Sequence, residues 1–180
     1  MHSQEPNRTI SVRRLTDVTE THISAMAAVL VDCVDGGASV GFLEPLDPAK
    51  AQAFWRESAR AVARGQRALL VAEDSDGIVG TVQLILDLPE NQPHRANLTK
   101  MLVHRRARRQ GIGRALIVAA ETTARDLGRT LVVLDTVSGS DAERLYVTLG
   151  WRRVGVIPGY ALWPNGEPCD STVYYRVLDE

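Results

Sequence analysis

The chain has 180 residues, 44% of them hydrophobic and 24% charged, and a formal net charge of −1. This composition argues against a disordered chain, and the near-neutral charge argues against general binding to nucleic acid or to an anionic membrane. A chain of this length suits one domain with a sizeable core.

The cysteines and the first residues favour a soluble cytoplasmic protein. Cys33 and Cys169 are far apart and have no metal-ligand spacing, so we expect no metal and a reducing compartment. Residues 1–11 are polar and lack the apolar core of a signal peptide. No apolar run reaches the roughly 18 residues that span a bilayer. We expect residues 1–180 to form a single domain, with residues 1–7 flexible.

The first third of the chain predicts one strand and two helices. Alternating apolar residues over 10–15 predict a short strand. Asp17 is a good N-cap for a helix that ends at the Gly36-Gly37 pair. A loop over 38–45 then leads to a second helix over 48–64.

The middle of the chain predicts a β-rich block. Strands over 68–73 and 78–86 flank Asp74-Ser75-Asp76-Gly77, a typical hairpin turn. A further strand over 96–103 runs into a glycine-containing turn, and a helix follows over 111–127.

The last third predicts further strands around one short helix. The apolar run 131–134 is typical of a central strand buried on both faces. A helix over 142–149 precedes late strands over 151–157 and 172–178. The order contains no repeat and no long linker, which favours an α+β fold with one mixed sheet flanked by helices.

The most informative stretch is Arg108-Arg109-Gln110-Gly111-Ile112-Gly113, between a predicted strand and a predicted helix. The first N–H groups of a helix have no internal partner, and glycine lets the backbone approach an anion closely. The neighbouring cationic side chains are Arg105, Arg106, Arg108, Arg109 and Arg114. A Walker A loop is excluded because Arg114 follows the last glycine, and a dinucleotide fingerprint is excluded because position 116 is leucine. The turn therefore predicts a ligand that carries a pyrophosphate.

The spacing Arg108-x-x-Gly111-x-Gly113 resembles the acetyl-CoA-binding motif of the GCN5-related N-acetyltransferases, the GNAT family. The residues Ala142, Leu145-Tyr146 and Gly150-Trp151 are similar to the second motif of that family, although Gly139 stands where an asparagine is usual. The resemblance implies the GNAT fold, a mostly antiparallel seven-stranded sheet with splayed fourth and fifth strands and about four flanking helices. It also implies acetyl-CoA as co-substrate and no metal.

The resemblance assigns the cofactor to the strand, the turn and the second motif. The main chains of Met101 and Val103 are candidates to pair with the pantetheine arm, and an N–H group there would suit an oxyanion. The residues expected to bind acetyl-CoA are Met101, Leu102, Val103, Arg108, Arg109, Gln110, Gly111, Ile112, Gly113, Arg114, Gly139 and Tyr146.

Two residues are candidates for catalysis. Tyr146 is the candidate general acid, because the tyrosine of the family approaches the cofactor sulfur and a phenol with its usual pKa of about 10 can protonate a thiolate. The alternative for Tyr146 is packing in a helix interface. Asp135 ends an apolar run, where a carboxylate is costly unless it is paired or used. It is expected to accept the amine proton or to bind the ammonium group, and the alternative is a turn or N-cap role before residue 140.

The acceptor is expected to be the amine of a small molecule. The segments 36–42, 134–136 and 154–160 are similar to a toxin-resistance branch of the family that acetylates a substrate with an α-amino acid skeleton. In many relatives the catalytic glutamate lies on the strand before the turn, where this chain has Asn97. The residues expected to bind the acceptor are Gly37, Ser39, Phe42, Asn97, Asp135 and Tyr160.

Three other functions are weighed against this one. A protein N-terminus or lysine as acceptor needs an open groove, whereas segments 36–42 and 158–165 are placed to narrow one. A nucleic-acid-binding role for arginines 105–114 lacks interleaved aromatic residues. A CoA sensor without catalysis is suggested by Gly139 and Asn97. We expect a small-molecule partner, no nucleic acid or membrane partner, and a monomer or homodimer.

Overall fold

The computed structural model describes residues 9–178, so the predicted flexibility of residues 1–7 lies outside the described part. The strands are β1 Ser11–Leu15, β2 Arg67–Asp74, β3 Gly77–Ile85, β4 Arg95–Val103, β5 Leu131–Val137, β6 Arg152–Leu162 and β7 Pro168–Val177. The helices are α1 Glu20–Asp35, α2 Pro48–Ala63, α3 Ile112–Asp126 and α4 Asp141–Thr148, with a 3₁₀ turn at Arg105–Ala107. No helix in the described range is long and apolar enough to cross a membrane.

The seven strands form one sheet in the order β1-β2-β3-β4-β5-β7-β6. Neighbouring strands are antiparallel except β4 and β5, which are parallel. The β4–β5 pairing covers only Arg95–Asn97 and Leu131–Val133, although both strands continue beyond it. The predicted GNAT fold, with a mostly antiparallel seven-stranded sheet and splayed fourth and fifth strands, is confirmed.

Each face of the sheet carries its own apolar core. Helices α1 and α2 cover one face, where Trp55 and Leu30 are fully buried. Helix α3 covers the other face through Leu116 and Ile117. This helix lies close to β3 because residue 80 is glycine: a Cβ there would lie 2.9 Å from Leu116 Cδ1. The close approach fixes the position of α3, and with it the turn that precedes α3.

The start of α1 and the burial of β5 differ from the predictions. The N-cap is Thr19 and not Asp17, because the Thr19 hydroxyl accepts from the His22 N–H at 3.3 Å while His22 Nδ1 accepts from the Thr19 N–H at 3.2 Å. In β5, Leu134 is buried but Val133 is only partly buried, since Val133 faces the cavity described below. Strand β5 is therefore not buried on both faces.

A bulge interrupts β4. Lys100 and Met101 together lie opposite one residue of β3, Val82, because Thr81 pairs with Leu102 and Gln83 pairs with Thr99. The extra residue reverses the alternation of side chains: Leu98 belongs to the core under α3, whereas Leu102 belongs to the core under α1 and α2.

Candidate active site

A cavity of about 1090 Å³ lies where β4 and β5 separate, which is large for a small-molecule site. Its walls come from β4, β5, the start of α3, α4, the loop after α1, and the β6–β7 hairpin. It brings together most of the residues predicted from the sequence, namely Gly37, Ser39, Asn97, Met101, Leu102, Val103, Arg108, Arg109, Gly111, Ile112, Gly113, Arg114, Asp135, Tyr146 and Tyr160.

The start of α3 forms one end of this cavity. Gly111, its N-cap, has a left-handed backbone with φ +78° and makes no side-chain cap hydrogen bond. Arg109 is also left-handed, with φ +65°. Such a turn before a helix presents main-chain N–H groups to an anion, and the dipole of the helix adds positive charge. Arg108 and Arg114 line the same wall. This end of the cavity fits a diphosphate.

Gly113 has a packing role that the sequence did not reveal. A Cβ on Gly113 would lie 2.9 Å from Cδ2 of Leu145 on α4. The sequence predicts that this glycine lets the backbone approach an anion, and the structure shows that it also makes room for Leu145. Since Leu145 belongs to the second motif, the two motifs contact each other through this glycine.

The turn after β4 is tied to α1. Asp32 accepts hydrogen bonds from the main-chain N–H of Arg105 at 2.8 Å and from its Nε at 2.9 Å. Burial alone would raise the pKa of Asp32, but these hydrogen bonds and the nearby His104 outweigh it and hold the pKa below its ordinary value. The ion pair therefore ties α1 to the turn that carries Arg108 and Arg109, which line the cavity.

The carbonyl of Val103 already has partners within the protein. It accepts from Arg108 Nε at 3.2 Å and from the Cys33 thiol at 3.6 Å. Met101 also lines the cavity, and it lies beyond the last residue of β4 that pairs with β5. The pairing of both residues with the pantetheine arm stays a prediction, and the Val103 carbonyl would have to exchange its present partners.

Tyr146 lines the cavity from α4 and is 3% exposed. Its ring packs against those of Trp151 and Tyr174, with centroids 5.5 and 6.4 Å away. Burial, and then the negative charge of Asp135, raise the pKa of Tyr146 well above its ordinary value. The expectation of an ordinary phenol pKa is therefore wrong, because this hydroxyl lies in an apolar environment. The phenol stays protonated at neutral pH, which is the form that a proton donor needs.

Asp135 lies within β5, on the cavity wall. Its carboxylate accepts a hydrogen bond from the Ser171 hydroxyl of β7 at 2.9 Å. The alternative role for Asp135 as an N-cap does not apply, because Ser140 caps α4. The two predicted catalytic residues thus share one cavity, and the charge of Asp135 acts on the phenol of Tyr146.

Three predicted site residues lie outside the cavity wall. Phe42 packs edge-on against Phe54, with ring centroids 5.5 Å apart. The Gln110 side chain donates to the Arg106 carbonyl at 3.5 Å. The Gly139 N–H donates to the carboxylate of Glu143. The structure therefore does not place these three residues with the others.

The structure also adds residues that the sequence did not suggest. Lys100 lines the cavity because of the β4 bulge, which no sequence signal reveals. Trp163 lines it too. Ser171 reaches Asp135 only through the β5–β7 pairing. Within residues 9–178, no group of His, Cys, Asp or Glu side chains could hold a metal ion.

Comparison with known proteins agrees with this architecture. Residues 65–153 match the model of the acetyltransferase (GNAT) domain. Human N-acetyltransferase 8B is 39% identical over 87 residues, a match that covers 47% of this chain and 38% of the human protein. The chain thus matches well under half of the length of this curated relative.

Solved structures extend the likeness to almost the whole chain. The structure of yncA from Salmonella typhimurium, which contains its cofactor acetyl-CoA, has a TM-score of 0.76 at 20% identity and covers 95% of both chains. A ribosomal-protein-alanine N-acetyltransferase from Brucella melitensis has a TM-score of 0.77 at 23% identity, over 93% of this chain and 99% of its own. The architecture, including the cleft between β4 and β5, is that of the GNAT fold. The match to the acetyltransferase (GNAT) domain model covers 89 of the 180 residues, just under half of the chain.

Proposed function

We propose that this protein is an acetyl-CoA-dependent N-acetyltransferase that acts on the primary amine of a small molecule. The observation that carries the proposal is a single cavity that joins the cationic start of α3 to the Tyr146 phenol and the Asp135 carboxylate. Gly111 and the arginines beside it suit the diphosphate of CoA. The separated edges of β4 and β5 suit the pantetheine arm.

The side chains at the inner end of the cavity can perform the proton transfers of this reaction. Bound acetyl-CoA supplies a thioester carbonyl for the amine to attack. Asp135 accepts the proton that the amine loses, directly or through water, or it binds the ammonium form beforehand. Tyr146 donates its phenol proton to the sulfur as the N–C bond forms and the C–S bond breaks. Holding both substrates in one cleft can lower the activation free energy of acetyl transfer by about 7–11 kcal/mol.

The walls at the acceptor end support a small acceptor. The Ser39 hydroxyl donates to the Leu162 carbonyl at 2.6 Å, which joins the loop after α1 to the end of β6. Tyr160 and Trp163 line the cavity beside this link. A protein segment would need the open groove that this link narrows. The three segments noted in the sequence are similar to the tabtoxin resistance protein, which supports an amino acid-like toxin or antibiotic as the acceptor.

The test is a panel of small primary amines with acetyl-CoA, read out by thiol release and by the mass of the acetylated product. Labelled acetyl-CoA with candidate proteins runs in parallel. Label on protein, without turnover of small amines, would favour a protein acceptor. Tight binding of acetyl-CoA without turnover of any amine would favour the sensor. No heat on titrating acetyl-CoA into folded protein would refute the cofactor assignment itself.

A further inference from the structure

Lys100 is a cavity-wall residue whose position depends on the β4 bulge. Its φ is +52°, a left-handed backbone that is unfavourable for a residue with a Cβ. The Thr81 hydroxyl holds this backbone by donating to the Lys100 carbonyl at 2.8 Å. Bulges near active sites commonly redirect a side chain. Here the redirected side chain is a lysine.

The Lys100 ammonium lies beside two aromatic rings that are outside the cavity wall. Its Nζ is 5.3 Å from the centroid of Phe54 and 6.0 Å from that of Phe42. The loop after α1 is also close, because a Cβ on Gly41 would lie 3.5 Å from Nζ. Both distances are within the range of cation–π attraction. Among residues 9–178, no carboxylate lies within 4.0 Å of this ammonium.

The charges near Lys100 favour the binding of an anion. Burial and then the positive charge of Arg67 lower the pKa of Lys100, and the negative charge of Asp135 opposes them only in part. Arg67 itself donates to the neutral groups of Ser58 and Gln83, at 3.0 Å each. A bound anion would stabilise the charged form of Lys100 in this setting.

We propose that Lys100 binds a carboxylate of the acceptor, so that the enzyme selects amines that also carry a carboxylate. Lys100 and Asp135, a basic and an acidic residue, both line the cavity. The acceptor thus places its carboxylate at Lys100 and its amine toward Asp135. This inference rests on the proposed N-acetyltransferase function and assigns its acceptor class.

The experiment compares acceptors that differ only in the carboxylate, namely amino acids, their carboxamides and the corresponding decarboxylated amines. For the wild type, kcat/KM should favour the carboxylate-bearing member by about tenfold or more. Lys100→Met should bring that ratio toward one, mainly through a higher KM for the amino acid. Lys100→Arg should retain part of the preference, since a guanidinium also pairs with a carboxylate.

The control uses the other lysine of the chain, Lys50. Its Nζ lies 5.9 Å from the Phe42 ring, but Lys50 does not line the cavity. Lys50→Met should therefore keep the wild-type ratio. Thermal unfolding of each variant shows that it is folded.

Three results would overturn the inference: no carboxylate preference in the wild type, an unchanged preference in Lys100→Met, or an equal loss of kcat for every acceptor. The last result would make Lys100 a proton-transfer or structural residue. If no amine is acetylated at all, the proposed function fails first. Calorimetry of the same acceptors, with CoA present, then tests whether Lys100 binds the carboxylate. Tighter binding of the amino acid to the wild type than to Lys100→Met supports the inference, and equal binding refutes it.

Discussion

The hydroxyl of Ser171 on β7 donates a hydrogen bond to Oδ2 of Asp135 on β5, at 2.9 Å. Ser171 is 3% exposed, and the same hydroxyl proton is shared with the Thr136 carbonyl, 3.1 Å from the Ser171 oxygen. A buried neutral donor orients a carboxylate without cancelling its charge. In the proposed mechanism, this hydrogen bond orients the carboxylate that accepts the amine proton or binds the ammonium group.

We expect Asp135→Asn to lower kcat/KM for the amine by about 10²-fold or more, because an amide can neither accept a proton nor attract an ammonium group as strongly. A loss confined to kcat would identify the proton acceptor, whereas a loss confined to KM would identify the ammonium anchor. Ser171→Ala should give a smaller loss, of about tenfold, by freeing the carboxylate to rotate. Steady-state kinetics checks both values.

The control for these two variants is Asp126→Asn at the end of α3, away from the cavity. It should leave kcat and KM unchanged. Binding of acetyl-CoA should also be unchanged in Asp135→Asn. If Asp135→Asn had the kcat and KM of the wild type, Asp135 would have no role in the proposed mechanism.

Tyr146→Phe should lower kcat by about 10²-fold or more while leaving the stability nearly unchanged. The phenyl ring keeps the packing against Trp151 and Tyr174, and only the proton donor is lost. Stopped-flow measurement of thiol release, together with a thermal melt, separates the two effects. An unaffected kcat would show that Tyr146 is only a packing residue.

Gly111→Ala should weaken the binding of acetyl-CoA by about tenfold or more, because the left-handed N-cap at φ +78° orients the first amides of α3. The left-handed backbone should also cost about 1–2 kcal/mol of folding free energy once a Cβ is present. Calorimetry and chemical unfolding measure the two quantities.

Gly139→Ala is the matched control for Gly111→Ala. Both glycines have φ +78°, and a Cβ on either would meet nothing within 4 Å, but only Gly111 lines the cavity. We expect a similar loss of stability in Gly139→Ala with no change in acetyl-CoA binding. If acetyl-CoA binding weakened equally in both variants, Gly139 would belong to the cofactor site after all.

Asp32→Asn should destabilise the protein at neutral pH by about 1.5–3 kcal/mol, since it removes a charge-assisted pair with Arg105. The folded-state pKa of Asp32 lies below its unfolded value of about 3.9. The wild type therefore keeps its full extra free energy of unfolding, relative to Asp32→Asn, at pH values above the unfolded-state pKa. It loses that extra stability as the pH falls through the folded-state pKa. Urea unfolding at pH values from about 7 down to 3 should show the difference in unfolding free energy between wild type and Asp32→Asn becoming smaller.

Asp141→Asn is the comparison for Asp32→Asn. Asp141 also pairs with an arginine, Arg144, but its side chain is 81% exposed. Exposed pairs contribute little, so no measurable change is expected at any of these pH values. If the difference in unfolding free energy between wild type and Asp32→Asn stayed constant over the whole pH range, the ionisation of Asp32 would not be the cause of the lower stability of the variant.

Most elements could be predicted from the sequence, because their signals are local. The hairpin turn over 74–77 and the helix stop at Gly36 lie where the turn chemistry places them. The N-cap of α1 was misplaced because Asp17 and Thr19 are both good caps, and only the reciprocal bond with His22 separates them. The bulge at Lys100 could not be predicted, since it arises from the register between β3 and β4.

The sequence by itself determined the end of the cavity that is proposed to bind the cofactor. A strand, a glycine with a left-handed backbone, a helix start and several arginines lie within about ten consecutive residues there, so their chemistry needs no distant partner. Only the tertiary structure decided the acceptor end. Lys100, Asp135 and Ser171 come from three different strands, and strand pairing together with one bulge brings them to the same cavity. Pairing of strands far apart in the chain depends on the packing of the whole sheet, which no short stretch of sequence encodes.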